Sequence, residues 1–308
     1  MTSELDVSVV LPVYNEKGHL RQEIDRIRQA LDSSPYSYEI VVVDDGSTDG
    51  SVDELRQIEG IRLIEFTRNR GSGSARKAGT AAARGDVVVW TDVDMTYPND
   101  EIPRLVKELE GHDQVVGART TEQGHTKFLR VPAKWLIRKL AQYLTQTHIP
   151  DLNSGFRAFR RDVVTQFLHR LPTGFSCVTT MTMTFLANGY SVNYIDIEYA
   201  ERAGSSKFHP WLDTKRYVTQ VVRMVLSYEP LRVFFPVGFF LLFAGLGKLA
   251  YDWSSRDFSL AANTLLILFA ASQVIAIGLL ADLVVHVTRP REQVPSAAQQ
   301  ESGGLPSS

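Results

Sequence analysis

Five short runs of β-branched and apolar residues, at 7–11, 40–43, 61–64, 87–90 and 114–116, alternate with stretches whose apolar positions recur at helical spacing, at 16–31, 51–57, 74–84 and 99–109. Short buried strands alternating with helices predict a mostly parallel α/β sheet, because parallel neighbours need a crossover and the crossovers cover the faces. Beyond Gly117 the texture changes. Residues 127–143 mix basic and aromatic side chains in a helical rhythm, and 211–228 space Trp211, Tyr217, Val221, Val225 and Tyr228 among Lys215, Arg216 and Arg223, a pattern suited to a helix on a membrane surface. Two apolar runs follow at 233–250 and 260–287, interrupted in charge only by Lys248 and Asp282. Each approaches or exceeds the roughly 20 residues that cross a bilayer, so together they predict a transmembrane helical hairpin. Arg223 and Arg232 precede the hairpin and Arg289 and Arg291 follow it, whereas the connector at 251–257 sets one arginine against two aspartates. The excess of arginine places both flanks on the cytoplasmic side. The expected organisation is a globular domain over 1–210, an interfacial helix over 211–229, two membrane helices over 230–288 and a disordered tail over 289–308.

Charge and cysteine content narrow the classes. The 308 residues carry 33 Lys and Arg against 35 Asp and Glu, a net charge of −2, which gives no support to nucleic-acid binding. The single cysteine, Cys177, excludes an intramolecular disulfide, fits a reducing compartment and is expected to be a buried, inert thiol. The first residues show neither a basic leader nor an apolar core segment, so no secretory signal is expected.

The chemistry sits at strand ends. Asp86-Val-Val-Val-Trp-Thr-Asp92-Val-Asp94 is an apolar run that stops in two carboxylates one residue apart. Ligands of open parallel sheets bind outside the carboxyl ends of the strands, and residues i and i+2 of an extended segment point the same way. Asp92 and Asp94 can therefore meet one divalent cation or one diphosphate together. Glu39-Ile-Val-Val-Val-Asp44-Asp45-Gly-Ser-Thr-Asp49 repeats the arrangement. Gly71-Ser-Gly73 does not open a dinucleotide fingerprint, since the third glycine would fall at Arg76, and no P-loop pattern occurs. These glycines point instead to close backbone approach, of a neighbouring element or of a nucleotide.

In their order and spacing, Leu11-Pro12-Val-Tyr14-Asn15-Glu16, Val43-Asp44-Asp45-Gly-Ser47-Thr-Asp49, Asp92-Val-Asp94 and Gly117-Ala-Arg119 resemble the signature of family 2 inverting glycosyltransferases with a GT-A fold. The second half, with Asp151-Leu-Asn-Ser154-Gly155-Phe156-Arg157, Arg202, Gly204-Ser-Ser-Lys207 and the terminal hairpin, resembles the dolichyl- and polyprenyl-phosphate hexose synthases, the bacterial membrane-bound branch above all. The resemblance implies an α/β GT-A domain followed by a membrane hairpin. It implies that Pro12, Tyr14, Glu16 and Asp45 line a nucleotide pocket, with Asp44 or Asp45 accepting hydrogen bonds from base or ribose. Asp92 and Asp94 would hold the donor diphosphate through Mg²⁺ or Mn²⁺, with Thr96 standing where the family often carries a glutamine ligand. Asp94, Arg119, Arg202 and Lys207 are the implied catalytic residues, and Arg119, Lys134, Arg138, Arg202 and Lys207 the implied lipid-phosphate contacts. The implied partners are a nucleotide sugar of the UDP-glucose or GDP-mannose type, a polyprenyl phosphate and the lipid bilayer, with a homo-oligomer packed through the hairpin as a further expectation. The implied location is the cytoplasmic (inner) membrane, crossed more than once, with the catalytic domain in the cytoplasm.

An absence agrees with a phosphate acceptor. No Q-x-x-R-W motif occurs, and 175–184 is rich in hydroxyls without an acid. A lipid phosphate is already anionic near neutral pH and attacks an anomeric carbon without a base, whereas a hydroxyl needs one. The competing enzyme reading, transfer to a lipid or protein hydroxyl, leaves Asp151 and Asp196 as candidate bases. A non-catalytic membrane scaffold is the third reading, and the intact acidic pairs count against it.

Overall fold

The computed structural model describes residues 5–119, 139, 142, 147–174, 176–200, 226, 230–255 and 261–288. The tail and most of the expected interfacial helix and of the basic and aromatic stretch at 127–143 lie outside the described residues. The chain divides into two units, Met1–Val221 and Val222–Ser308.

The first unit is built on a seven-stranded sheet in the order β3-β2-β1-β4-β6-β5-β7. Its strands are β1 (Val7–Val13), β2 (Tyr38–Asp44), β3 (Arg62–Glu65), β4 (Val87–Trp90), β5 (Gln114–Arg119), β6 (Arg157–Arg160) and β7 (Val192–Ile197). β1, β2, β3 and β4 run parallel, as do β5 and β7, and β6 lies antiparallel between β4 and β5. Between the strands come α1 (Leu20–Asp32), α2 (Ser51–Leu55), α3 (Ser72–Ala82), α4 (Ile102–Lys107, entered through a 3₁₀ turn at Asn99–Glu101), α5 (Arg161–Thr165) and α6 (Ser176–Ala187).

Alternation along β1 divides the core. Val7, Val9, Leu11 and Val13 face the stripe Leu20, Ile24, Ile27 and Leu31 of α1, while Val10 faces Ala75 of α3 and Cys177, Met181 and Phe185 of α6. Both faces are covered, which is why the strands read as near-continuous apolar runs. Cys177 is buried, and burial pushes its thiol up to about 11, so it is inert at neutral pH.

The five expected strands are present. Helix α1 begins at Leu20 rather than residue 16 because the backbone N–H groups before it are taken elsewhere. Those of Asn15, Glu16, Lys17 and Gly18 donate to Ser47, Ser51, Asp49 and Glu54.

The second unit holds two antiparallel-compatible helices, α7 (Leu231–Ser255) and α8 (Ala262–Thr288), joined by a short connector. Each offers 24 residues apolar enough to cross a membrane, about 36 Å of helix against a hydrocarbon core of about 30 Å. Phe240, Phe243, Leu266, Phe269, Leu283 and Val284 are exposed on the pair, a surface that suits lipid. Gly238, Gly245 and Gly278 let Ile275, Leu268 and Phe234 of the facing helix press against backbone, a small-residue interface of the kind membrane helices use. Lys248 does not break the run. Its Nζ lies 3.2 Å from Asp252 Oδ1, one turn on, and Asp252 is buried and accepts the Thr264 hydroxyl of the partner helix.

Candidate active site

Parallel pairing of β1, β2 and β4 brings the ends of three strands to one edge of the sheet, with Val13 opposite Asp44 and Val10 opposite Trp90. Trp90 anchors the end of β4: it is buried, its Nε1 donates to Thr80 Oγ1 at 2.8 Å, and its ring meets Phe159 edge-on at 5.1 Å. The acidic loop follows at once. Asp92 Oδ1 accepts from Arg76 Nη2 at 2.5 Å, and Asp94 Oδ1 accepts the Thr96 hydroxyl at 2.5 Å and the Thr96 N–H at 3.3 Å. Met95 between them has φ +61°, and Asn15 on the β1–α1 loop has φ +54°. These are the two non-glycine residues of positive φ among the described residues, and both stand at strand ends where the sequence places chemistry. Left-handed backbone outside glycine is held only where surrounding contacts overdetermine it, and it gathers at functional sites.

A buried network supports the acidic loop from behind. Thr91 Oγ1 donates to Asn99 Oδ1 at 2.5 Å, and Asn99 Nδ2 donates to Glu23 Oε1 at 2.7 Å and to the Asp92 carbonyl at 3.1 Å. Glu23 is fully buried on α1, and burial raises its carboxyl above the usual range. Its sequence signal was present, since Glu23 occupies an α1 stripe otherwise made of Leu20, Ile24, Ile27 and Leu31.

The second acidic loop holds backbone as well. Asp44 Oδ2 accepts the N–H groups of Gly46 and Ser47, each at 3.1 Å, and its Oδ1 is buried without a hydrogen-bond partner. Asp45 directs both oxygens at the N–H groups of Arg70 and Gly71, at 2.7 and 2.8 Å, so this carboxylate fixes the entry to α3. Burial outweighs those hydrogen bonds and raises its pKa. Pro12, Tyr14 and Glu16 lie partly buried along the same edge. Gly73 meets a neighbouring element: a Cβ there would stand 2.4 Å from the Pro172 carbonyl oxygen. Gly46 combines φ +73° with backbone contact, a Cβ there lying 2.5 Å from the Arg68 carbonyl carbon, whereas Gly18 at φ +97° has open space around it. Gly46→Ala is therefore expected to destabilise the first unit by about 3 kcal/mol or more, and Gly18→Ala by only about 1 kcal/mol; paired thermal melts check the difference.

Insertion of β6 beside β4 carries the 151–156 loop to the acidic loop. The Gly155 N–H donates to Tyr97 Oη at 2.7 Å, Tyr97 stacks on Phe156 at 5.8 Å, and its other side meets Tyr199 at 5.2 Å. Arg119 forks on Asp151, with Nε and Nη2 at 2.6 and 3.0 Å from the carboxylate, and its guanidinium lies 5.2 Å from the Tyr199 ring. Burial alone would push Asp151 up, but the hydrogen bonds and charge of Arg119 hold it below the usual carboxylate range. Arg157 is fully buried and donates to the carbonyls of Ser154 and Val178 and to Thr182 Oγ1. Burial lowers it to about 10, which leaves it charged at neutral pH.

The structure thus gathers Asp92, Asp94 and Thr96 in one loop and links that loop to Arg119 and Asp151 through Tyr97, Phe156 and Tyr199. Tyr14, Glu16, Asp44 and Asp45 share the neighbouring strand ends. Asp196 is exposed on β7, paired in register with Ala118. Lys134, Arg138, Arg202 and Lys207 lie outside the described residues. Glu23, Arg76, Tyr97 and Asn99 are site-supporting residues that the sequence motifs do not mark.

A mixed, mostly parallel sheet with carboxylates at its strand ends, joined to an apolar helical pair, defines a GT-A type catalytic domain with a membrane anchor. The sequence profile of Glycosyl transferase family 2 matches residues 8–168, and that of the GtrB C-terminal hairpin matches 229–287. The chain belongs to glycosyl transferase family 2 and is a glycosyltransferase. The undecaprenyl-phosphate 4-deoxy-4-formamido-L-arabinose transferase of Aeromonas hydrophila subsp. hydrophila is 32% identical over 90% of this chain and 88% of its own. The enzyme of the same name from Pseudomonas fluorescens strain Pf0-1 is 32% identical over 90% of this chain and 84% of its own. Among solved structures, glucosyl-3-phosphoglycerate synthase from Mycobacterium tuberculosis, in complex with Mn²⁺, UDP and phosphoglyceric acid, aligns with a TM-score of 0.57 at 25% identity, covering 73% of this chain and 78% of that one.

Proposed function

We propose that this glycosyltransferase moves a sugar from a nucleotide sugar to a polyprenyl phosphate at the cytoplasmic face of the inner membrane, with inversion, giving a β-linked polyprenyl-phosphate sugar. The observation that carries the reading is the union, in one chain, of an acid-ended family 2 domain with a hairpin long enough to hold it at a lipid surface. The relatives named for undecaprenyl phosphate match across both parts. A hexose from a UDP-glucose or GDP-mannose donor is the first candidate sugar, and the 4-deoxy-4-formamido-L-arabinose of the relatives' names is the second.

In this reading the nucleotide lies along Pro12, Tyr14 and Glu16, and the unpartnered Asp44 Oδ1 accepts a hydrogen bond from base or ribose. Asp92, Asp94 and the Thr96 hydroxyl form an oxygen-only donor set, which suits Mg²⁺ or Mn²⁺. The diphosphate and water complete the proposed coordination shell. A divalent cation held there neutralises the charge that gathers on the departing nucleoside diphosphate. The acceptor phosphate oxygen bonds to the anomeric carbon as the bond from that carbon to the diphosphate oxygen breaks. No proton leaves the acceptor. Asp151, forked by Arg119 and held in its charged form, is a poor base, which favours a phosphate over a hydroxyl acceptor. Arg119 Nη1, outside that fork, together with Lys134, Arg138, Arg202 and Lys207 forms the proposed cationic setting of the two phosphates.

The full-length protein in detergent, given labelled nucleotide sugars and in turn polyprenyl phosphate, diacylglycerol and phosphoglyceric acid, tests this reading. Label on polyprenyl phosphate alone is expected; label on a hydroxyl acceptor in its place overturns it, and no transfer to any acceptor favours a scaffold. The topology is tested separately by cysteine labelling in sealed vesicles in a Cys177→Ala background. Ser254→Cys and Gln300→Cys are expected to react from opposite sides, and labelling from one side removes the hairpin.

A further inference from the structure

The geometry points to Arg76 as a positioning residue that restrains Asp92 and weakens cation binding by the acidic pair until a diphosphate arrives. This rests on the proposed role of Asp92 and Asp94 as the metal pair. Arg76 projects from α3 beneath the acidic loop with its side chain 5% exposed, and its Nη2 lies 2.5 Å from Asp92 Oδ1, a carboxylate that is itself 32% exposed. The guanidinium sits 5.7 Å from the Trp90 ring. Its Nε is buried without a hydrogen-bond partner. A charged group carrying an orphaned donor is not placed there by packing alone, and the charged contact that fixes it is Asp92. Gly155 packs closely against the same pair. A Cβ at that position would stand 3.1 Å from Arg76 Nη2, 3.1 Å from Asp92 Oδ2 and 3.3 Å from Tyr97 Oη. Asp92 thus has one carboxylate oxygen on a buried cation and the other close to the Gly155 backbone.

Two consequences follow from charge alone. A divalent ion approaching Asp92 competes with a guanidinium for the same oxygen and is repelled by it, so binding of the metal by itself is weakened. A nucleoside diphosphate brings its own negative oxygens and offsets that repulsion, so metal and nucleotide strengthen each other's binding, reciprocally. The arrangement favours delivery of the metal together with the donor over stable loading of the empty enzyme.

The test uses full-length protein in detergent, with Mn²⁺ as the probe and electron paramagnetic resonance to measure free ion, in the absence and presence of UDP or GDP. Arg76→Met is expected to bind Mn²⁺ alone at least about fivefold more tightly than the unmodified protein and to lose most of the nucleotide enhancement. Arg76→Lys, which keeps the charge, is expected to stay near the unmodified affinity. In an Asp92→Asn background the effect of Arg76→Met is expected to vanish. Circular dichroism checks the fold, and Arg76→Gln serves as a second neutral variant. Unchanged Mn²⁺ affinity in folded Arg76→Met and Arg76→Gln, or an equal gain with Asp92 already neutralised, overturns the inference. Mn²⁺ binding that survives both Asp92→Asn and Asp94→Asn overturns the metal-pair reading, and this inference with it.

Discussion

Asp94→Asn is expected to lower turnover by about a thousandfold while moving the melting temperature by no more than about 3 °C, the shift that about 1 kcal/mol makes in a domain of this size. The substitution removes the charge and keeps the size of the side chain and one of its oxygens. Asp94 is buried, and its Oδ1 accepts both the N–H and the hydroxyl of Thr96. Asparagine keeps that oxygen, so the left-handed turn at Met95 keeps its support. What disappears is the negative charge proposed to help hold a divalent ion against the leaving diphosphate. Loss of one preorganised electrostatic contact to a developing oxyanion costs about a hundred- to a thousandfold, and a missing ligand that also loosens the ion adds to it. EDTA should reproduce the loss in the unmodified protein and add little to the variant. A folded Asp94→Asn protein that turns over normally in EDTA removes the metal from the mechanism.

The acidic pair was legible because its signal is local. An apolar run ending in acids needs only the rule that parallel sheets present ligands at their carboxyl ends, and β1 to β5 alternate with helices as that rule requires. β6 was not legible for the opposite reason. It begins at Arg157, a charge that reads as surface but is fully buried, because Ser154, Val178 and Thr182 supply acceptors that no neighbouring pattern announces. Nor does α6 show a helical stripe. Thr179, Thr180, Thr182 and Thr184 are buried along with Met181, Met183 and Phe185, so the helix is covered nearly all round and its hydroxyls mask its apolar role. The supports of the site fall between these cases. Glu23 interrupts an apolar stripe and could have been flagged as a buried acid, but its partner Asn99 lies 76 residues away and only the fold joins them. Arg76 carries no local mark, since a basic residue on a short helix after glycines is ordinary until Asp92 is placed beside it.

Arg119→Ala is expected to destabilise the first unit by about 3–5 kcal/mol, the usual cost of leaving one member of a buried ion pair alone, and so to lower its melting temperature by roughly 10 °C. The side chains of Arg119 and Asp151 are only 17% and 11% exposed, and the guanidinium makes two hydrogen bonds to the carboxylate while lying over Tyr199. Truncation strands Asp151 and also removes the packing on Tyr199, which in turn backs Tyr97 against the acidic loop. The pair has a pH signature of definite sign. Burial raises Asp151, but Arg119 outweighs it and leaves the folded carboxyl below the ordinary value. Its contribution is then fully present above the unfolded pKa of about 4 and is lost as pH falls through the lower folded value. Acid melts of the unmodified protein should show that loss, and Arg119→Ala should flatten it. Asp151→Leu alone, which strands the guanidinium, is expected to cost a similar amount, and the double variant Arg119→Ala, Asp151→Leu, which removes both charges, to lose only about half of what Arg119→Ala loses, so the mutant cycle gives a coupling of several kcal/mol. A coupling near zero, with Asp151→Leu alone melting like the unmodified protein, would detach Asp151 from this structural role and return it to consideration as the base of a hydroxyl-directed transferase.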